Sequence, residues 1–212
     1  MLNSYGLMKS RSGLKVVLVV LGLFSAVGMA RAQESGACVR GKPTAPIKLE
    51  VFSDFQCPTC RAFYLQTMKD VFKDYADTGK VCVVYRSFPL ETHAYAADAA
   101  RYGAAALRVG AAQWNRLADA LFQNQDQWAE NGDLEAIAAK ALPKADMDAL
   151  KKQLQNAQPL NSAIYEDIKL GLARNVGSTP TFFITAGGKT DGFEAALQYS
   201  ALKRELDARL SK

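Results

Sequence analysis

Ile47-Lys48-Leu49-Glu50-Val51-Phe52 alternates in polarity and reads as a strand. Ser53-Asp54-Phe55-Gln56 follows, and then Cys57-Pro58-Thr59-Cys60 opens a stretch with apolar side chains at Tyr64, Leu65, Met68, Val71, Phe72 and Tyr75. That is helical spacing. Pro58 falls at the first helical position, where a missing N–H costs nothing. Gly79 ends the helix, and Val81–Ser87 (VCVVYRS) is a second β-branched strand, stopped by Pro89. Strand, helix and strand over some forty residues make a βαβ unit with two parallel strands.

Working outward, residues 41–46 (GKPTAP) form a turn-rich lead-in to this unit. Downstream, helical patterns are predicted over 93–110, 113–123, 133–142, 144–157 and 160–175, punctuated by Asn131-Gly132, Pro143 and Pro159. They share no fixed period, so they read as a helical insertion (about 92–175) and not as a repeat array. Strand character returns at 180–185 (PTFFIT), Gly187-Gly188 gives a turn, a short strand to Gly192 is expected after it, and a last amphipathic helix is predicted over 195–210. The expected fold is α/β, one domain over 33–212 in the order βαβ, helical block, ββα.

The 212 residues carry a formal net charge of +5. Lys9, Arg11, Lys15 and Arg31 put four of those charges in the first 32 residues, leaving +1 for the rest. The basic balance is therefore no nucleic-acid footprint. Residues 1–32 instead read as a secretory signal: a cationic n-region, an apolar run VVLVVLGLF at 16–24, and Ala30-Arg31-Ala32 as the cleavage site. The rival reading is a retained anchor, but the run is shorter than the ~20 residues that span a bilayer. Export to the periplasm or beyond permits disulfides.

In that setting a single C-x-x-C after a strand and opening a helix is a redox signature. The N–H groups and dipole of a helix N-terminus stabilise a thiolate at Cys57, the expected attacking thiol. Cys60, one turn in, is the resolving thiol. A zinc site would need two further ligands from Cys38, Cys82 and His93, which lack a second paired spacing, so no metal is expected. An inert disulfide is the other alternative. Thr179-Pro180 opens the third strand; beside the cysteines it reads as a cis bond facing Cys57, offering backbone hydrogen bonds to an extended substrate. His93, the single histidine, is assigned to a helix start, and Trp114, Phe122 and Trp128 to packing. No nucleotide or metal cofactor is expected.

Ser53-Asp54-Phe55-Gln56-Cys57-Pro58-Thr59-Cys60, Phe88-Pro89-Leu90 followed by His93, the insertion, and Gly177-Ser178-Thr179-Pro180-Thr181-Phe182-Phe183 together resemble the DsbA-like thiol–disulfide oxidoreductases. The resemblance covers about 41–210. It implies a thioredoxin fold with an inserted helical domain, the active pair at Cys57 and Cys60, and a cis-proline at Thr179-Pro180. It also implies substrate proteins with cysteine thiols and a membrane redox partner, with no cofactor beyond the redox disulfide. Two departures stand out. Thr59 occupies the place where the strongest oxidases of the family carry histidine. Val51 occupies the place, six residues before the first cysteine, where many relatives bury an acid; Glu50 should face the other side of the strand. In this family the segment before the first strand lies antiparallel beside the second, which would bring Cys38 to Cys82 for a structural disulfide; independent thiols, with Cys82 a small hydrophobe inside its strand, are the alternative.

The function expected is an exported oxidase of substrate thiols, acting as a monomer. A reductase or isomerase running the other way, and a peptide-binding holdase with structural cysteines, are the alternatives. The 14 residues at 33–46 leave no room for a dimerisation module of the dedicated isomerases.

Overall fold

The computed structural model describes residues 36–194 and 196–211. The leader expected at 1–32, with its cleavage after Ala32, lies outside the described residues. No helix among them is long and apolar enough to cross a membrane.

Four strands, β1 (Ile47–Ser53), β2 (Val81–Ser87), β3 (Thr181–Ala186) and β4 (Lys189–Phe193), form one sheet in the order β2-β1-β3-β4. β1 pairs parallel with β2, Val51 opposite Tyr85, and antiparallel with β3; β3 and β4 are antiparallel. This is the βαβ…ββα order read from the sequence, with helices Ala96–Val109, Ala111–Gln123, Leu134–Ala141, Lys144–Leu154 and Ala157–Ala173 inserted after β2. The C-terminal helix runs Tyr199–Leu210, starting four residues later than the pattern suggested. Pro159 does not bound a helix as expected. It sits in the first turn of Ala157–Ala173, where no intrahelical N–H bond is lost.

The helix that begins at Pro58–Phe63 continues as one run through π-helical Tyr64–Met68, a short α turn Lys69–Val71 and π-helical Phe72–Ala76. It packs on the sheet face that carries Leu49 and Val51, and Phe63 stacks on Phe182 with centroids 5.7 Å apart. Trp114, Phe122 and Trp128 are buried, as their packing role requires. Cys38 and Cys82 are joined by a disulfide, and Val39 and Arg40 bond to Val83 in an antiparallel bridge. Gly41 (φ +87°) lets this segment run against β2, since a Cβ there would collide with the Val81 carbonyl.

The opposite sheet face holds a charged cluster. Glu50, 1% exposed, accepts from Arg86 at 2.6 and 3.1 Å, from Arg174 at 3.1 Å, and pairs with Lys48 at 3.1 Å. Arg86 also bonds Asp167 of helix Ala157–Ala173, which ties the insertion to β2. Burial pushes the Glu50 carboxyl up, but the Arg86, Lys48 and Arg174 hydrogen bonds and charges overcome it and hold it at about 2. The stabilisation this gives is complete above the unfolded value of 4.5 and is lost as pH falls through about 2. Glu50→Gln should therefore cost about 3 kcal/mol at neutral pH. Urea unfolding should show the deficit narrowing between pH 4.5 and 2.

Candidate functional site

The backbone sets up the site first. Cys57 caps the helix with extended geometry (φ −73°, ψ 122°), and its Sγ accepts from the Cys60 N–H at 3.4 Å. Pro58 at the first helical position and Thr59 are exposed, while both cysteines are buried and unbridged in this dithiol form. Across the site the Thr179–Pro180 bond is cis, and the Thr179 carbonyl accepts from the Cys57 thiol at 3.5 Å. The structure thus brings Cys57, Cys60, Thr179 and Pro180 together. It sets Cys38 and Cys82 apart as a separate bridge on the edge strand.

The two thiols are driven in opposite directions. At Cys57 the hydrogen bond from the Cys60 thiol outweighs burial, the Cys60 N–H, the Thr179 hydroxyl and the Thr59 N–H add to it, and the pKa falls from 9.0 to about 5. Cys60 is pushed far up, chiefly by burial and then by donating to Cys57 and by the charge there. Alkylation of the reduced protein at pH 5–6 should therefore label Cys57 and leave Cys60 untouched until the protein unfolds. Equal labelling of both, read by peptide mass mapping, would reverse these roles.

Sequence reasoning missed the groups that clamp the turn before Cys57. Asp54 is buried; its carboxylate accepts from Gln56 N–H at 2.8 Å and Leu90 N–H at 3.0 Å, and pairs with His93 Nδ1 at 2.7 Å. His93 thus lies in the turn ahead of helix Ala96–Val109, bonded to this loop. Gln125, from the insertion, donates to the carbonyls of Phe55 at 2.7 Å and Cys57 at 3.2 Å. Gln56 reaches back, donating to Ala129 O and accepting from Tyr95 N–H. Gly103 admits the Phe55 ring, which a Cβ would meet at 2.6 Å. An Asp two residues before a turn N–H is a readable signal; the distant Gln125 leaves none. Among the described residues no group of three or more His, Cys, Asp or Glu side chains could hold a metal.

The family model described as Thioredoxin matches residues 33–208. The probable disulfide bond formation protein D of Bacillus cereus is 26% identical over 176 residues, covering 81% of this chain and 78% of that protein. The crystal structure of oxidised BdbD from Bacillus subtilis superposes with a TM-score of 0.68 at 21% identity, covering 82% of this chain and 92% of that one. Wolbachia pipientis α-DsbA1 superposes with a TM-score of 0.66 at 22% identity, covering 80% and 88%. With the sheet order, the helix-capping cysteine and a match over most of its length in agreement, the chain belongs to the thioredoxin family of thiol–disulfide oxidoreductases.

Proposed function

We propose that this thiol–disulfide oxidoreductase works outside the cytoplasm and runs in the oxidising direction, with Cys57 and Cys60 as its redox pair. A substrate thiolate attacks Cys57 Sγ in the Cys57–Cys60 disulfide; the electron pair goes to Cys60, which is released as the thiol after taking up a proton. A second substrate thiolate then attacks the substrate sulfur of the mixed disulfide, a substrate disulfide forms, and Cys57 leaves as the thiolate. The protein ends two electrons reduced and is reoxidised by a membrane redox partner. Substrate proteins dock as extended segments against the backbone of Thr179 beside Pro180.

The observation that carries this reading is the Cys57 sulfur capping the helix N-terminus, where it accepts from the Cys60 N–H. Held down at about 5, it is ionised at pH 7, and a good leaving group makes the disulfide a good oxidant. The sign follows from linkage. The stabilisation of the reduced form is complete above the free-thiol value and is lost as pH falls through about 5. At pH 7 it amounts to something on the order of 3 kcal/mol, or roughly 60 mV toward oxidation. The expected leader and the name of the Bacillus cereus relative support an extracytoplasmic oxidase.

The test is stoichiometric. The oxidised protein, mixed with an equimolar reduced dithiol peptide at pH 7, should convert most of the peptide to its disulfide. Retention of the peptide as dithiol, with the protein still oxidised, would sink the oxidising direction.

A further inference from the structure

Releasing or using a thiolate at Cys60 is the difficult part of the cycle, because that sulfur is buried (1% exposed) and burial opposes its charge. The Ser53 hydroxyl and the Asp54 N–H face this sulfur and favour its charge, but burial outweighs both. Val51 presents only methyl groups on this face. Glu50 lies on the opposite face, committed to Arg86, Arg174 and Lys48. The Asp54 carboxylate already holds Gln56 N–H, Leu90 N–H and His93. Tyr64, further along the helix, gives its hydroxyl to Asp119.

Beneath Cys60 lies a cavity of about 10 Å³ whose wall includes Val51, Ser53, Cys60, Tyr85 and Trp114. That is room for about one water. The Tyr85 ring is fixed between Phe55 (centroids 4.9 Å, stacked) and Trp114 (5.0 Å). Its hydroxyl oxygen is buried beside the Ser53 side chain and meets no protein partner in hydrogen-bond geometry among the described residues. A buried phenol with no partner costs stability unless a water satisfies it. Tyr85 also lines a separate cavity of about 90 Å³, together with Arg86, Arg108 and Asp167.

We propose that the Tyr85 hydroxyl is a positioning residue for the redox step, donating to a single water in this cavity that in turn donates to the Cys60 sulfur as charge develops there. The inference rests on the reading of Cys57 and Cys60 as the redox pair. When a substrate thiolate attacks Cys57, the Cys57–Cys60 bond breaks and a bond from Cys57 to the substrate sulfur forms. The electron pair passes to Cys60, which takes up a proton through the water, the substrate thiol having released one to solvent. In reverse, the Cys60 proton passes through the same water to solvent as Cys60 attacks the mixed disulfide, and the departing substrate thiolate takes one up there. Tyr85 thereby acts on the barrier in both directions and leaves the end states alone, since Cys60 is either disulfide-bonded or protonated in them.

Tyr85→Phe removes the hydroxyl and keeps the stacked ring. Reduced protein mixed with oxidised glutathione should pass through a Cys57–glutathione mixed disulfide, and quenched-flow mass analysis gives the rate at which Cys60 resolves it. In the variant that rate should fall about tenfold at pH 7, the size of one lost hydrogen bond to a charged group. Its pH profile should move to higher pH. The reverse reaction, reduced glutathione with oxidised protein, should slow by the same factor, with the equilibrium constant and melting temperature unchanged. Resolution within twofold of the parent, or slowing that comes with an altered equilibrium constant or a lower melting temperature, would overturn the proposal. If the parent protein itself forms no mixed disulfide at Cys57, the redox reading fails before the variant is compared.

Discussion

Cys57→Ser should lose turnover down to the uncatalysed background, while Cys60→Ser should still react once and then stop. The asymmetry follows from position. Cys57 caps the helix beside the exposed Pro58 and Thr59 and faces the Thr179 carbonyl, whereas Cys60 is sealed beneath it. With serine at 60, the Cys57 thiolate attacks a substrate disulfide, releases one substrate sulfur as a thiol and has no internal partner to resolve the adduct, so mixed disulfides with substrate proteins accumulate and run as reducible adducts on a non-reducing gel. A holdase with structural cysteines would bind unfolded substrates equally well in both variants and form no adduct. Adducts on Cys60 in the Cys57→Ser protein, at a rate near that of Cys57 in the parent, would contradict the assignment.

The second large effect concerns the other cysteine pair. The Cys38–Cys82 bridge closes a loop with a sequence separation of 44, worth about 4 kcal/mol in the chain-entropy model. It holds the lead-in segment against β2, where Val39 and Arg40 bond to Val83. Val39 is part of the core, so loosening it also exposes apolar surface. The double variant Cys38→Ser with Cys82→Ser should melt about 8–16 °C lower than the parent, at roughly 2–4 °C per kcal/mol for a domain of this size. Its rate of peptide oxidation at low temperature should be unaffected, because the bridge is separate from the Cys57 site. A melting point within about 2 °C of the parent would show that the bridge is energetically idle.

The two cases differ in how visible they are in sequence. Alternation at 47–52, helical spacing after Pro58 and the β-branched run at Val81–Ser87 are local patterns. They dictated the βαβ unit because each is satisfied within one element. Proline at the first helical position likewise placed Cys57 at a helix start without reference to anything distant. The Cys38–Cys82 pairing was implied only through resemblance, since spacing does not reveal which strands lie side by side. What stayed hidden depends on partners far along the chain. Gln125 reads as one more polar residue in a helical block until its amide is seen on the Phe55 and Cys57 carbonyls. Glu50 could be assigned to the far face by strand alternation, but its partners Arg86 and Arg174 come from β2 and the end of the insertion. The two π-helical segments between Tyr64 and Ala76 carry no proline or glycine to announce them. Tyr85 looked like an ordinary strand aromatic, and only the packing of Phe55 and Trp114 aims its hydroxyl at buried space.

Low thiolate pKa at Cys57 and oxidising power are two expressions of one free-energy difference, so a single potential reports both. The measurement is the equilibrium reduction potential of the Cys57/Cys60 pair in glutathione buffers at pH 7, with the states separated by acid quench and thiol labelling. The Cys57 thiolate should place it about 60 mV or more above a reductant of this fold class, at about −210 mV or higher, where the pair gives its disulfide to substrate thiols. A value near −270 mV, where a reductant of this fold class operates, would contradict it.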